Sequence, residues 1–293
     1  MLNLDKGIRV KLELPLVNLK DATVEYEVIH GLATAVAEQF GFEPLECDSE
    51  EEVCSALHKE SGDQITFYFT YNKLSFFLGY QENLHISYDR FKKYFLYIQT
   101  YLLQHNHMLT GMGLNPNYRF DKNFNRDTIS QHFCETGIVI GLDQAGKDDI
   151  QTYYNNFYQV MTVLFSNSLV ATEDGFQYWY PGKGLVVSTQ PVCDIMAPAA
   201  FMLGIVVMDQ EFKAALPKVV PINEMKDDDI RLQEIKFIRM VKEGLAKRGY
   251  GEEKYIECLT YRVMKLTNPA KEMAEGLQWG DSLDTYIRSY ANL

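Results

Sequence analysis

No stretch of this chain is both long and apolar, and no block of Lys or Arg stands out against its formal net charge of -12. An acidic balance of that size disfavours a nucleic-acid groove and an anionic membrane surface alike. The opening MLNLDKGIRV has no apolar run of the kind a signal peptide needs, so no leader is expected. Cys47, Cys54, Cys134, Cys193 and Cys258 lie scattered, without paired spacing. That usage reads as five thiols in a reduced, cytoplasmic protein with no zinc cluster. His105 and His107, two apart on an expected helix, point to different faces and are not expected to share a metal. Neither GxGxxG nor GxxxxGK[ST] occurs, and HExxH, a GxSxG elbow and internal repeats are missing too.

What is present suits a large folded core. The 293 residues are 46% hydrophobic, which excludes global disorder, and 19 Tyr add thick amphipathic packing. The clearest unit is Thr136 to Ser168. Ile138, Val139, Ile140 and Leu142 form a β-branched run ending at Asp143, Gly146 turns the chain, and a helix begins near Asp148 and Asp149. Tyr153, Phe157, Val160, Met161 and Leu164 give that helix one apolar face. This strand–turn–helix is expected to organise its neighbours.

Taken in order, Arg9 to Leu16 alternates as a first strand, with Pro15 near its end. A helix follows from Val24 to Phe40, stopped by Gly41. Asp48 and Ser49 predict the cap of a short helix to Lys59. Runs from Ile65 to Thr70 and Leu74 to Leu78 predict a hairpin about Tyr71-Asn72-Lys73. Ser87 and Asp89 predict the cap of a long helix ending near His107; His85, just before it, would cap or pack, with catalysis as the alternative. Leu109 to Leu114 and Leu185 to Thr189 read as strands, 117–131 as a loop, and Phe176 to Tyr180 as a segment between two turns. Helices are expected over Asp194–Leu216, Lys226–Arg248, Glu252–Leu266 and Ser282–Tyr290. The sum is one α+β domain over 1–293, a mainly antiparallel sheet with helices on one side, and a helical C-terminal part from about 227.

Four phrases, in order, carry a resemblance. ENLHISYDRFKKYFLYIQTYL, LTGMGLNPNYR, TGIVIGLD with FYQVMTVLFSNS, and EGLAKRG with Asn268-Pro269-Ala270-Lys271 resemble segments of glutamate–cysteine ligases of the plant and proteobacterial type. Together they span nearly the whole chain. The resemblance implies a curved, largely antiparallel, glutamine synthetase-like sheet with helices behind it. It also implies ATP-driven amide formation, in which carboxylates hold Mg²⁺ against the triphosphate. The chain departs from the family at those carboxylates. Where the family's first strand has two Glu, this one has Lys11 and Glu13. The E-P-G-G-Q-x-E-L-S signature falls on Phe69 to Phe77, with Phe69 and Ser75 in place of the acids and Lys73 in place of the Gln. Val139 stands where the T-x-Q phrase has its Gln. Glu13, Glu82, His85, Arg119, Asp143 and Asn167 are retained.

The departures imply a ligase-like protein without ATP/Mg²⁺ chemistry, a pseudoenzyme that needs no cofactor or metal and supports an active ligase homologue or associates with itself. Two alternatives stay open. One is an active ATP- and Mg²⁺-dependent carboxylate–amine ligase with Glu13 and Asp143 as catalytic candidates and further acids such as Asp121 or Asp148. The other is a binding protein for a small anionic metabolite, held by Lys11, Lys73, Arg119 and Asn167. If the ligase chemistry is lost, the region near Phe69, Lys73 and Ser75 is expected to be poor in acids and partly filled by Phe69 and Phe76 or Phe77, whereas three or more convergent carboxylates there would restore the enzyme reading.

Overall fold

The computed structural model describes residues 7–20, 24–43, 46–48, 53–69, 72–109, 135–140, 168–172, 175–181, parts of 196–207, and 226–265. Within them the element on which the others are hung is the first strand, β1 (Ile8–Asn18). It pairs antiparallel with β5 (Lys73–Phe77) along one edge, and with β7 (Glu135–Ile140) and then β6 (His107–Leu109) along the other. The hairpin partners of β5, namely β4 (Asp63–Tyr68), β3 (Val53–His58) and β2 (Glu46–Asp48), extend the sheet one way; β9 (Gly175–Pro181) and β8 (Ser168–Thr172) extend it the other. Every described pairing is antiparallel. The protein is α+β, as expected. The centre, however, is β1 and not the Thr136–Ser168 unit, whose helix lies outside the described residues.

Pro15 is accommodated in this central strand by a break in pairing. Val10 accepts from Leu78 and Leu16 donates to Asn72, so the even residues of β1 bond toward β5. The odd ones bond toward the other edge, where β7 stops opposite Leu12 and β6 starts opposite Leu16. The missing N–H of Pro15 therefore falls in the gap between two partners.

Alternation along the strands gives the sheet two unlike faces. Val10, Leu12, Leu14, Cys54, Ala56, Ile65, Phe67, Leu74 and Phe76 form one apolar side, all nearly inaccessible. Helix α1 (Tyr26–Phe40) packs on it through Val28, Ile29, Leu32, Ala33 and Val36, and ends at Gly41, whose φ of 74° is the left-handed conformation expected of a helix stop. Helix α2 (Leu84–Gln104) adds Phe91, Tyr94, Ile98 and Leu102. Helices α3 (Asp227–Ala246) and α4 (Glu257–Lys265), joined by a 3₁₀ turn (Glu252–Ile256), contribute Phe237, Val241, Tyr255 and Leu259 to the same core. Phe201 meets Phe237 edge-on at 5.3 Å. Among the described residues no helix is long and apolar enough to cross a membrane.

Several expectations fail for identifiable reasons. The helix predicted from Asp48 to Lys59 is the β2–β3 pair, since Cys54 and Ala56 are buried at period two against β4. The cap of α2 is Asn83, whose side chain accepts from the N–H groups of His85 and Ile86, while Ser87 is buried inside the first turn. His105 closes α2 and His107 begins β6, so the two do not share a helix. Cys54 is not a thiol but is disulfide-bonded. The β8 strand, Ser168–Thr172, was not anticipated. The loop at 117–131, the strand at 185–189, the helix at 282–290 and the last five residues of the strand predicted from Leu109 lie outside the described residues.

A second buried carboxylate ties the hairpin to α2. Asp63 is inaccessible and accepts from Tyr94 Oη at 2.7 Å, Arg90 Nη1 at 3.2 Å and the Gly79 N–H at 2.7 Å. Burial, and then the hydrogen bond to Asp63, pushes the Tyr94 phenol well above its ordinary pKa. At Gly79 a Cβ would lie 1.8 Å from the Ser61 carbonyl oxygen, so only glycine lets the two turns approach. Asp63→Ala is expected to cost about 3 kcal/mol in urea unfolding, because it strands three donors, and Tyr94→Phe only about 1 kcal/mol. Equal losses for the two would mean that the carboxylate is not the hub.

Candidate functional site

The opposite face of the sheet is polar, and the sequence pattern puts it there. Gln64, Thr66 and Tyr68 alternate with the core residues Ile65 and Phe67; Lys11 and Glu13 alternate with Val10, Leu12 and Leu14. Register then lines up Glu13, Ser75, Thr66 and Ser55 across β1, β5, β4 and β3. Ser55 Oγ and Thr66 Oγ1 are 3.0 Å apart, and Gln64 Nε2 donates to Thr66 Oγ1 at 3.4 Å.

At the head of this row three predicted residues meet. Glu13 Oε1 lies 2.7 Å from Lys11 Nζ and Oε2 lies 2.9 Å from Lys73 Nζ. The Glu13 side chain is only 2% exposed, that of Lys73 10% and that of Lys11 18%. Lys73 Nζ also stands 5.3 Å from the centre of the Tyr68 ring, within cation–π reach. Burial by itself raises the Glu13 carboxyl pKa. The Lys73 and Lys11 ammonium groups and their hydrogen bonds outweigh it, so the pKa lies below the ordinary value. The carboxylate is ionised and each oxygen holds an ammonium.

The phenylalanines sit differently from the expectation. Phe76 is in the core, and Phe69 turns to the helix side against Tyr26 at 4.9 Å. On the polar face only Phe77 remains of the three. Arg9 covers it, with Cζ 3.6 Å from the ring centre, and is itself fixed by the carbonyls of Leu78 and Gly62 at 3.2 Å. Glu135, the first residue of β7, precedes Thr136, which is opposite Leu12, and so comes level with Glu13 by register. Arg119, Asp143 and Asn167 lie outside the described residues.

Glu82 and His85 belong to a separate cluster that fastens the C-terminal helices to the start of α2. Glu252, inaccessible, accepts the Leu84 N–H at 2.8 Å on one oxygen and Arg248 Nε at 2.7 Å on the other. Arg248 Nη2 donates to the Glu82 carbonyl at 2.8 Å, and Tyr250 Oη bonds the Glu82 carboxylate. His85 Nε2 lies 2.6 Å from the Tyr250 carbonyl oxygen, which can only accept, so the proton is on Nε2. Nδ1 is hydrogen-bonded with Tyr255 Oη at 2.7 Å. Both nitrogens of His85 are engaged in a packing role, as the capping-or-packing reading expects.

Sequence reasoning missed Ser55, Thr66 and Glu252. The alternation in QITFYF was enough to place Thr66; Ser55 was hidden by the helical reading of its segment, and Glu252 by its distance in sequence from Leu84. Among the described residues no group of three His, Cys, Asp or Glu could hold a metal ion.

No protein-family model matches the chain, and no curated protein matches it in sequence. Among solved structures, a glutamate–cysteine ligase from Francisella tularensis in complex with AMP aligns with a TM-score of 0.49 at 10% identity, over 97% of this chain and 87% of that one. GmaS without ligand aligns at 0.42 and 13%, over 94% of this chain and 73% of that one. GmaS with ADP aligns at 0.42 and 9%, over 92% and 73%.

The triad makes its own test. Glu13→Gln leaves two buried ammonium groups without their carboxylate and is expected to cost about 3 kcal/mol in chemical denaturation. Replacing all three residues by apolar ones of similar size should recover most of that loss. Because the folded-state pKa of Glu13 is lowered, its contribution is present above the ordinary Glu value of about 4.3 and is lost as pH falls through the folded value. Wild-type stability should therefore fall more steeply on acidification than that of Glu13→Gln. Parallel acid limbs would show that the carboxylate is not held by the lysines.

Proposed function

We propose that this chain is a glutamate–cysteine ligase-like protein that has lost ATP/Mg²⁺ ligase chemistry and serves a non-catalytic role in the cytoplasm, supporting an active partner of the same fold. The observation that carries the reading is the state of Glu13, the acid retained on the first strand. Both of its oxygens are bridged by ammonium groups at 2.7 and 2.9 Å. A Mg²⁺ ion binding there would have to displace at least one lysine and then remain beside it. Two unit charges about 4 Å apart repel by about 4 kcal/mol in an effective dielectric of about 20, and a dication doubles that. Among the described side chains, one acid and two lysines meet here, which leaves no excess negative charge for a triphosphate-bound metal.

The signature positions agree in character. Ser75 is buried in the hydroxyl row and Phe69 is turned toward α1, so neither supplies a ligand. The four phrases that carry the resemblance support the ligase-like part of the reading.

Calorimetry with ATP and ADP, each with and without Mg²⁺, and a turnover assay with glutamate and cysteine test this directly. The expected result is no Mg²⁺-dependent nucleotide binding and no γ-glutamyl product, with co-purification of an intact ligase homologue. Micromolar, Mg²⁺-dependent ATP binding with turnover would restore the enzyme reading. Metal-independent binding of an anion, lost in Lys73→Ala, would make this a metabolite-binding protein instead.

A further inference from the structure

At the far end of the sheet, Cys54 of β3 is 1% exposed on the apolar side and is disulfide-bonded. The residue directly across from it is Cys47 of β2, flanked in register by the pairs Glu46–Ser55 and Asp48–Val53. Directly opposed residues of an antiparallel pair have Cα atoms about 4.5 or 5.5 Å apart, both inside the range of about 4.4–6.8 Å that a disulfide spans. Among the described strand pairings, no other cysteine is in register with Cys54.

The two strands differ in what else holds them. β3 is paired with β4 over six positions, and both Cys54 and Ala56 are in the core. β2 has three residues and pairs only with β3 among the described strands. Three ladder positions on one side make a marginal strand. The segment joining the cysteines also carries Asp48, Glu50, Glu51 and Glu52, a run of like charges that repel one another. A covalent bond at the middle of this short ladder would therefore add the strongest constraint on β2.

We propose that Cys47 and Cys54 form a reversible cross-strand disulfide that fastens the edge strand β2, so that docking of this edge follows the thiol–disulfide poise of its surroundings. The reaction is exchange with a small disulfide such as oxidised glutathione. Two cysteine S–H bonds and one external S–S bond are replaced by the Cys47–Cys54 bond and two external thiols. The protein pair gives up two electrons and two protons, which the glutathione disulfide takes up. The reverse uses two equivalents of reduced glutathione. This inference does not rest on the proposed function.

The full wild-type chain, equilibrated in oxidised and in reduced glutathione buffers, acid-quenched, alkylated and digested, provides the test. The oxidised sample should contain a Cys47–Cys54 cross-linked peptide, and the reduced sample both cysteines alkylated. Hydrogen exchange should show the 46–48 amides exchanging at least about tenfold faster after reduction, with those of β4 and β5 unchanged. Cys47→Ser should give the reduced pattern in both buffers. A cross-link from Cys54 to another cysteine, or none in oxidised buffer, would overturn the assignment. A Cys47–Cys54 bond with equal exchange at 46–48 in both states would overturn the switch.

Discussion

The Glu13 carboxylate, on a strand whose residues are all buried from Leu12 to its end, is only 2% exposed, and the sheet is built to satisfy it. Ionised and unpaired, it would cost several kcal/mol. Lys11 reaches it from two residues away on the same face and Lys73 from across the hairpin, one per oxygen. The condition extends to register. A one-residue slip of β5 against β1 would carry Lys73 to the apolar side and leave Glu13 without it. The ion cluster thus contributes less to net stability than to the choice of one pairing over its neighbours.

The same logic recurs at Asp63 and Glu252. Each is fully inaccessible, and each spends its oxygens on a backbone N–H and on the side chain of another element. Asp63 joins the β3–β4 turn to Gly79 and α2; Glu252 joins the 3₁₀ turn to the first turn of α2, where free N–H groups favour an anion. Three buried acids therefore mark three joints: strand to strand, hairpin to helix, and C-terminal helices to the rest. Apolar burial supplies the driving force, and these joints fix the arrangement.

Much of this was legible in the sequence wherever one local signal acted alone. The alternation in RVKLELPL, the glycine after Phe40, the hairpin about Asn72 and the helical period from Phe91 to Leu102 all reappear in the structure. What was missed needed a partner remote in sequence. VCSALH reads as helix because Ala, Leu and Glu around it favour one, yet pairing with β4 makes it a strand. Ser87 looked like the cap of α2 because Asn83 and Glu252 divide that task between a neighbour and a residue on the C-terminal helices. A disulfide set by strand register leaves no spacing motif, so the cysteines looked unpaired. The Lys11–Glu13–Lys73 group was half visible: the residues were singled out, but as separate candidates rather than as one closed ion cluster.

Separating the residues by what they do in space explains why a resemblance can be carried so clearly by some phrases and broken at others. The ENLH phrase and the EGLAKRG phrase, remote in sequence, meet at the Glu82, Leu84, His85 and Arg248 cluster, where each residue satisfies a buried backbone group or packs a helix end. Those constraints come from folding and hold whatever the polar face does. On that face the constraint is different: a site for a metal-bound triphosphate must keep convergent acids unpaired and therefore strained against each other, which costs stability. Glu13, with a lysine at each oxygen, is under no such repulsion, and the pairing to Lys73 also fixes the register of β1 against β5.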